Sequence, residues 1–247
     1  MICRTSFLKS SGLALLLLLL AAGGQGQASH DHFLPLTSGT YWLYEGTVGW
    51  YDAEQDKEVS APVSWKMTVE QVVHTPELTA AVISGFPGDL NWSAGDVSPK
   101  PALLVETAQH RVFLSALMSP NIQLPVEKSE PDFFKKFMEE DNLLFQWPLH
   151  KGQKFCDAEM KEREDNHYCW FIAEQSRRQM GSVKGIAPRA NDVFLLQFVT
   201  NPDDEQIELV PAIGIVHYEY HHHGTVATTD LKLVEFHPGE AAAQAQE

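Results

Sequence analysis

Apolar and polar positions alternate with a period of two over most of the chain. Trp42, Tyr44, Val48 and Trp50 fall on one side of a first segment. In a second, Val63, Trp65, Met67 and Val69 alternate with Ser64, Lys66, Thr68 and Glu70. Both patterns predict half-buried antiparallel strands. Further strands are predicted over 79–86, 102–106, 112–116, 168–173, 182–186, 193–199, 206–210, 214–222 and 225–236. Turn residues separate them, notably Asn201-Pro202-Asp203-Asp204 and, near the tip of the last pair, Gly224. One stretch has helical spacing instead. Ser129 can cap a helix with Pro131 and Asp132 in its first turn, followed by Phe133, Phe134, Phe137, Met138, Leu144 and Phe145. The predicted class is mainly β: a curved antiparallel sheet, or an open barrel or sandwich, with one covering helix over about 129–145. Residues 87–101, rich in Pro and Gly, read as a long loop, within which Asn91-Trp92-Ser93 matches a glycosylation sequon.

A short pattern occurs twice. Pro35-Leu36-x-x-Gly39-x-x-Trp42 and Pro148-Leu149-x-x-Gly152-x-x-Phe155 each lead into a predicted strand. Both combine an extended X-Pro entry, a glycine-enabled turn and an aromatic anchor. Two related halves meeting near 129–148 would explain the echo, and so would independent reuse of a strand-entry turn.

The N-terminus departs from the β pattern. Arg4 and Lys9 precede an apolar run from Leu13 to Ala22, and small residues then lead to Gly26-Gln27-Ala28. These are the three regions of a secretory signal peptide, predicted over 1–28. The run of 10 residues is about half of the ~20 that span a bilayer, and no other segment is longer, so no transmembrane span is expected after processing. Removing 28 of the 247 residues leaves 219 and takes the formal charge from -15 to -17. Residues 29–238 read as a single domain, and the Ala/Gln tail over 239–247 as disordered.

With 44% hydrophobic residues the chain can build a core, and its acidic balance argues against nucleic acid or anionic lipid as a partner. Loss of Cys3 with the leader leaves Cys156 and Cys169, an even pair that reads as a disulfide in an exported protein. The rival is a metal site of Cys156, His167 and Cys169.

The sharpest chemical feature is His217-Tyr218-Glu219-Tyr220-His221-His222-His223. In an extended strand His217, Glu219, His221 and His223 point one way, and Tyr218, Tyr220 and His222 point the other with Val216. The aromatic side reads as core. At ~3.3 Å per residue, His217 and His221 are too far apart to share one ion, so a zinc site would be built on Glu219, His221 and His223. His237, Asp230 and Glu235 are further candidate ligands that the sequence does not place, and a hairpin at Gly224 would set His221 and His223 opposite Thr225 and Ala227. The rival reading is a polar, solvent-facing strand end. No metalloprotease helix, nucleophile elbow, phosphate-binding loop or dinucleotide fingerprint is present. A carboxylate acid/base pair, or a Ser such as Ser64 or Ser93 with a remote His, has no local motif behind it.

Phe33-Leu34-Pro35-Leu36-x-x-Gly39-x-x-Trp42-x-Tyr44-x-Gly46, with Val210-Pro211-x-x-Gly214-Ile215-x-x-Tyr218, resembles a broad group of exported bacterial proteins and lipoproteins of unassigned function. The resemblance implies a curved antiparallel sheet somewhat like the periplasmic lipoprotein carriers that cradle acyl chains. It implies no catalytic residues, and the lipidated cysteine of the lipoprotein members is missing. The expectation is therefore an exported, periplasmic or extracellular, non-enzymatic β protein that binds a small apolar ligand or an envelope component. The alternative is a zinc-binding protein or metal-dependent hydrolase centred on the His217–His223 strand.

Overall fold

In the computed structural model the described residues are 34–92, 97–117, 124, 131–224 and 226–239. The leader-like segment 1–28, the Ser129 cap, Thr225 and the tail after Gly239 lie outside them. Twelve strands form one antiparallel sheet: β1 (Tyr41–Asp52), β2 (Lys57–His74), β3 (Leu78–Ser84), β4 (Pro101–Thr107), β5 (Arg111–Ala116), β6 (Leu143–Gln146), β7 (Lys154–Phe155), β8 (Trp170–Gln179), β9 (Ala190–Val199), β10 (Asp203–Val210), β11 (Gly214–His222) and β12 (Ala227–His237). Their spatial order is β6-β5-β4-β3-β2-β1-β12-β11-β10-β9-β8-β7. Every strand therefore neighbours its sequence neighbour except across β6 and β7, and the first strand pairs with the last.

The sheet is nearly closed, like a barrel whose seam lies between β6 and β7. Across that seam Gln153 Nε2 donates to the Gln146 carbonyl at 3.2 Å. Trp147, just after β6, sets its ring edge-on against Phe194 of β9, centroids 5.8 Å apart. Closure of this kind removes most of the exposed edge that an open sheet would present.

Alternation decides the inner face. Trp42, Tyr44 and Val48 of β1, Trp65, Met67 and Val69 of β2, and Ile207 and Leu209 of β10 are all buried there. Trp42 Nε1 donates to the Ile213 carbonyl, and Tyr44 OH to the Ile215 carbonyl at 3.1 Å. These two aromatics reach across β12 and tie β1 to the start of β11. On β3 and β4 both faces are buried. The outer one carries Val82 and Leu103, in register with Ser115 of β5 and Gln71 of β2. There Gln71 accepts from the Leu124 amide and Ser115 Oγ donates to the Phe137 carbonyl, each at 3.2 Å.

The expected helix over 129–145 is much shorter. Only α1 (Pro131–Lys135) is helical, and residues 143–146 form β6 against β5. Leu143, Leu144 and Phe145 are all buried in that strand. Their apolar run satisfies a two-sided edge strand as well as a helix stripe, and tertiary pairing decides between them. The polar 3-10 turn Glu140–Asn142 separates the two elements. Residues 182–186, expected as a strand, contribute one parallel bridge, Lys184 with Glu235.

The repeated Pro-Leu-x-x-Gly pattern adopts one geometry in both places. Gly39 and Gly152 have φ of +82° and +85°. The Gly39 amide donates to the Val69 carbonyl and the Val69 amide to the Thr40 carbonyl. Equivalently, the Gly152 amide donates to the Ile172 carbonyl and the Ile172 amide to the Gln153 carbonyl. Leu36 and Leu149 are buried beside them, and so are Trp42 and Phe155. Each copy opens one six-strand run.

Cys156 and Cys169 lie at disulfide distance, with Cα atoms 5.0 Å apart, and enclose the short helix α2 (Ala158–Lys161). A loop of this length is stabilised by roughly 3 kcal/mol in the chain-entropy model. A bond between them would leave the rival metal site of Cys156, His167 and Cys169 without a thiolate.

The two kinds of glycine give a direct contrast. A Cβ on Gly46 would lie 1.8 Å from the Asp230 carbonyl oxygen, whereas a Cβ on Gly152 meets nothing within 4 Å. Gly46→Ala is expected to destabilise by at least about 3 kcal/mol through overpacking of the β1–β12 pair. Gly152→Ala should lose only the roughly 1–2 kcal/mol of a left-handed backbone. Urea denaturation of both variants checks this; equal midpoints would contradict the β1–β12 packing.

Candidate functional site

The histidine strand divides its side chains as alternation predicts. On the outer face of β11, His217 Nε2 lies 2.8 Å from Asp230 Oδ1 and His221 Nε2 lies 2.8 Å from Glu219 Oε1. Glu208 faces His217 from β10, 3.9 Å away, and pairs with Arg178 at 2.8 Å. His223 falls past the end of β11, is exposed, and donates its amide to the Pro202 carbonyl. The structure thus brings Glu219 and His221 together and leaves His223 apart. The hairpin register sets His221 opposite Thr228 and His222 opposite Ala227, one residue away from the expected pairing. Of the other candidate ligands, Asp230 joins His217, while Glu235 accepts from Tyr41 OH and pairs with Lys184, and His237 stacks on Tyr41. Among the described residues no group of three or more His, Cys, Asp or Glu is arranged to hold a metal ion.

A richer cluster sits on the inner face. Strand pairing aligns Val48 of β1, Thr229 of β12, Tyr220 of β11, Glu205 of β10, Phe198 of β9 and Trp170 of β8 in one row. Trp50, Ala227, His222 and Asp203 form the adjacent row, nearer the end where β10 begins and β11 stops. Period-two geometry is what converges them: residues two apart on β10 and on β11 share a face.

The connection from β3 to β4 completes the cluster. Rather than running over the outside, residues 86–92 cross the inner face and reach β11, four places along the sheet order from β3. The 3-10 turn Pro87–Leu90 buries Pro87 and Leu90. Trp65 Nε1 donates to the Gly85 carbonyl at 2.9 Å, and the Lys100 amide donates to Asp89, fixing the two ends of the crossing. Gly88 permits the approach, since a Cβ there would lie 3.2 Å from Tyr218 OH. Phe86 packs edge-on against Tyr218. Asn91 Nδ2 donates to Tyr218 OH at 2.7 Å. The sequon asparagine therefore uses its amide nitrogen internally. Trp92, 57% exposed, sets its ring 4.1 Å from that of His222 and 6.3 Å from that of Tyr220.

Two carboxylates two residues apart are shifted in opposite directions. Burial pushes Glu205 up to about 7, opposed by a hydrogen bond from Tyr218 and reinforced by the charge of Asp203. Burial also acts on Asp203, but hydrogen bonds from Tyr220, His222 and Thr200 outweigh it and hold that carboxyl below its usual range. Tyr220 OH donates to Asp203 Oδ1 at 2.6 Å, and His222 Nδ1 lies 2.9 Å from the same atom. Burial, and then the nearby Glu205 charge, push Tyr218 well above the ordinary phenol range. Three buried side-chain atoms have no protein partner among the described residues: Asn91 Oδ1, Thr229 Oγ1 and Asp204 Oδ1. The first belongs to the crossing segment, the second to the inner row.

Alternation places Tyr218, Tyr220 and His222 inward, where they read as core, whereas Asp203 falls in the Asn201–Asp204 turn signal and Glu205 just outside the strand predicted from 206. The available signal was Asp203-x-Glu205-x-Ile207-x-Leu209, in which carboxylates continue an inward apolar register.

Because Glu205 is raised from 4.5 to about 7, the folded protein holds this proton more tightly than the unfolded chain does. Stability from this group is fully present below about 4.5 and is lost as pH rises through 7. Glu205→Gln should therefore raise the urea midpoint at pH 8 and leave it nearly unchanged at pH 5. A midpoint lowered equally at both would show that Glu205 is not buried as a neutral acid. Compared with family models, curated proteins and solved structures, the chain finds no match in any of the three, so the reading of this cluster rests on its own geometry.

Proposed function

We propose that the protein is an exported, non-enzymatic binding protein that takes a small ligand at the inner-face cluster of Glu205, Tyr218, Tyr220, His222, Asn91 and Trp92. One observation carries the reading: polar atoms without partners, Asn91 Oδ1 and Thr229 Oγ1, accompany buried aromatic rings next to an exposed tryptophan. A buried polar atom without a partner costs about 1–3 kcal/mol, which a ligand able to hydrogen-bond it recovers. Pockets that combine apolar walls with a few convergent polar groups are the usual form of small-molecule sites. Export is supported by the tripartite character of residues 1–28 and by the Cys156–Cys169 pair at disulfide distance. A non-enzymatic role fits a cluster whose carboxylates are engaged by tyrosines and a histidine, with no nucleophile poised beside a base among the described residues.

Native mass spectrometry of the protein recovered from the exported fraction of its own host tests both parts. The expected species lacks residues 1–28 and carries a small molecule, whose occupancy falls at least fivefold in Trp92→Ala. Retention of residues 1–28 on protein found only inside the cell would overturn export. An unliganded mass, with no compound in a chemically diverse panel raising the melting temperature, would overturn binding.

A further inference from the structure

Hydrogen-bond directions around Tyr218 specify which kind of group the cluster lacks. Tyr218 OH takes the role of acceptor toward Asn91. Asn91 therefore presents its NH2 to the tyrosine oxygen, as the 2.7 Å contact from Nδ2 shows, and its carbonyl oxygen is left over as an acceptor. Asp203 likewise receives from Tyr220, His222 and Thr200. The Tyr220, His222 and Thr200 donors are thus spent on Asp203.

What remains unpaired can accept: Asn91 Oδ1 as an acceptor only, and Thr229 Oγ1 as a hydroxyl that accepts or donates, with Glu205 adding acceptor capacity once ionised. Thr229 is the independent witness. It is 1% exposed, sits on the inner row between Val48 and Tyr220, and has no partner for its hydroxyl. The rings of Trp92 and Tyr220, 6.3 Å apart, flank the row, and Phe198 and Trp170, ring centroids 5.3 Å apart, continue it past Glu205. An anion would meet acidic oxygens and electron-rich rings. A neutral apolar molecule would bury the orphan acceptors without pairing them. An ammonium group has three donors and no acceptor, and it is also the group that aromatic faces attract.

Resting on the binding role proposed above, we infer that the ligand is an organic ammonium ion with an apolar substituent, its charged head among Glu205, Asn91 and Thr229 beside Trp92 and Tyr220, and its tail along Phe198 and Trp170. The titratable groups that face Glu205 are Asp203 on its own strand and Tyr218, Tyr220 and His222 on β11. Thr229 on β12 and Phe198 on β9 carry none, and Asp89 of the crossing segment is engaged by the Lys100 amide. An arriving cation favours the ionised carboxylate, so binding releases a proton from Glu205 and tightens as pH rises from 5.5 to 8.

Isothermal titration calorimetry of the full mature protein with hexylammonium, hexanol and hexanoate tests this, since the three share one tail. Hexylammonium should bind at pH 8 at least tenfold more tightly than hexanol, with hexanoate weakest, and about tenfold more tightly at pH 8 than at pH 5.5. Glu205→Gln should weaken it at least tenfold. Trp92→Ala, a change at an exposed position that leaves folding intact, should weaken it about fivefold, within the range of a cation–π contact. Hexanol or hexanoate binding as tightly as hexylammonium would overturn the ammonium assignment while leaving the binding role standing. So would hexylammonium binding that neither substitution changes. Absence of binding by all three would also overturn the ammonium assignment, and the binding role falls with it only if the exported protein carries no ligand.

Discussion

The antiparallel pairing of β1 with β12 is the constraint on which the rest of the structure depends. It joins the two six-strand runs at the middle of the sheet order, and it is close enough that Gly46 faces the Asp230 carbonyl where no side chain fits. Through it Trp42 and Tyr44 reach the carbonyls of Ile213 and Ile215, so the first strand sets where β11 begins. The position of β11 in turn fixes Tyr218, Tyr220 and His222 on the inner face, opposite Glu205 and Asp203 of β10. The inward crossing of 86–92 has a target only because β11 is held there. The cluster assembled from β3–β4, β10, β11 and β12 is thus a consequence of pairing the first strand with the last.

Strand identity was largely legible from alternation, because a sheet with one buried face imposes a period of two directly on the sequence. The segment 214–222 coincides with β11, and the inward side of Trp42, Tyr44, Val48 and Trp50 follows from spacing alone. The repeated Pro-Leu-x-x-Gly pattern was legible as well, and its two copies make matching hydrogen bonds at Val69 and Ile172. What spacing does not carry is competition between elements. Leu143, Leu144 and Phe145 suit either a helix stripe or an edge strand, and pairing with β5 decided for the strand.

The candidate site was half legible. Alternation separates the outward His217, Glu219 and His221 from the inward Tyr218, Tyr220 and His222, and the outward side is the one that carries the obvious imidazoles and carboxylates. Asn201-Pro202-Asp203-Asp204 is a true turn signal, and reading all four residues as turn hid that Asp203 already begins β10. Nothing local in Pro87 to Trp92 states that the loop folds inward. That information is held in Gly88 and in a partner, Tyr218, that lies 127 residues away from Asn91.

The inner face holds an acid whose surroundings are set against its own charge, beside polar atoms without a protein partner among the described residues. Side-chain 13C NMR titration of the protein, with Glu205 assigned through Glu205→Gln, measures this directly. The account predicts that the Glu205 carboxyl titrates near 7 and falls when hexylammonium is added. A Glu205 resonance that titrates in the ordinary glutamate range and does not respond to the amine would contradict it.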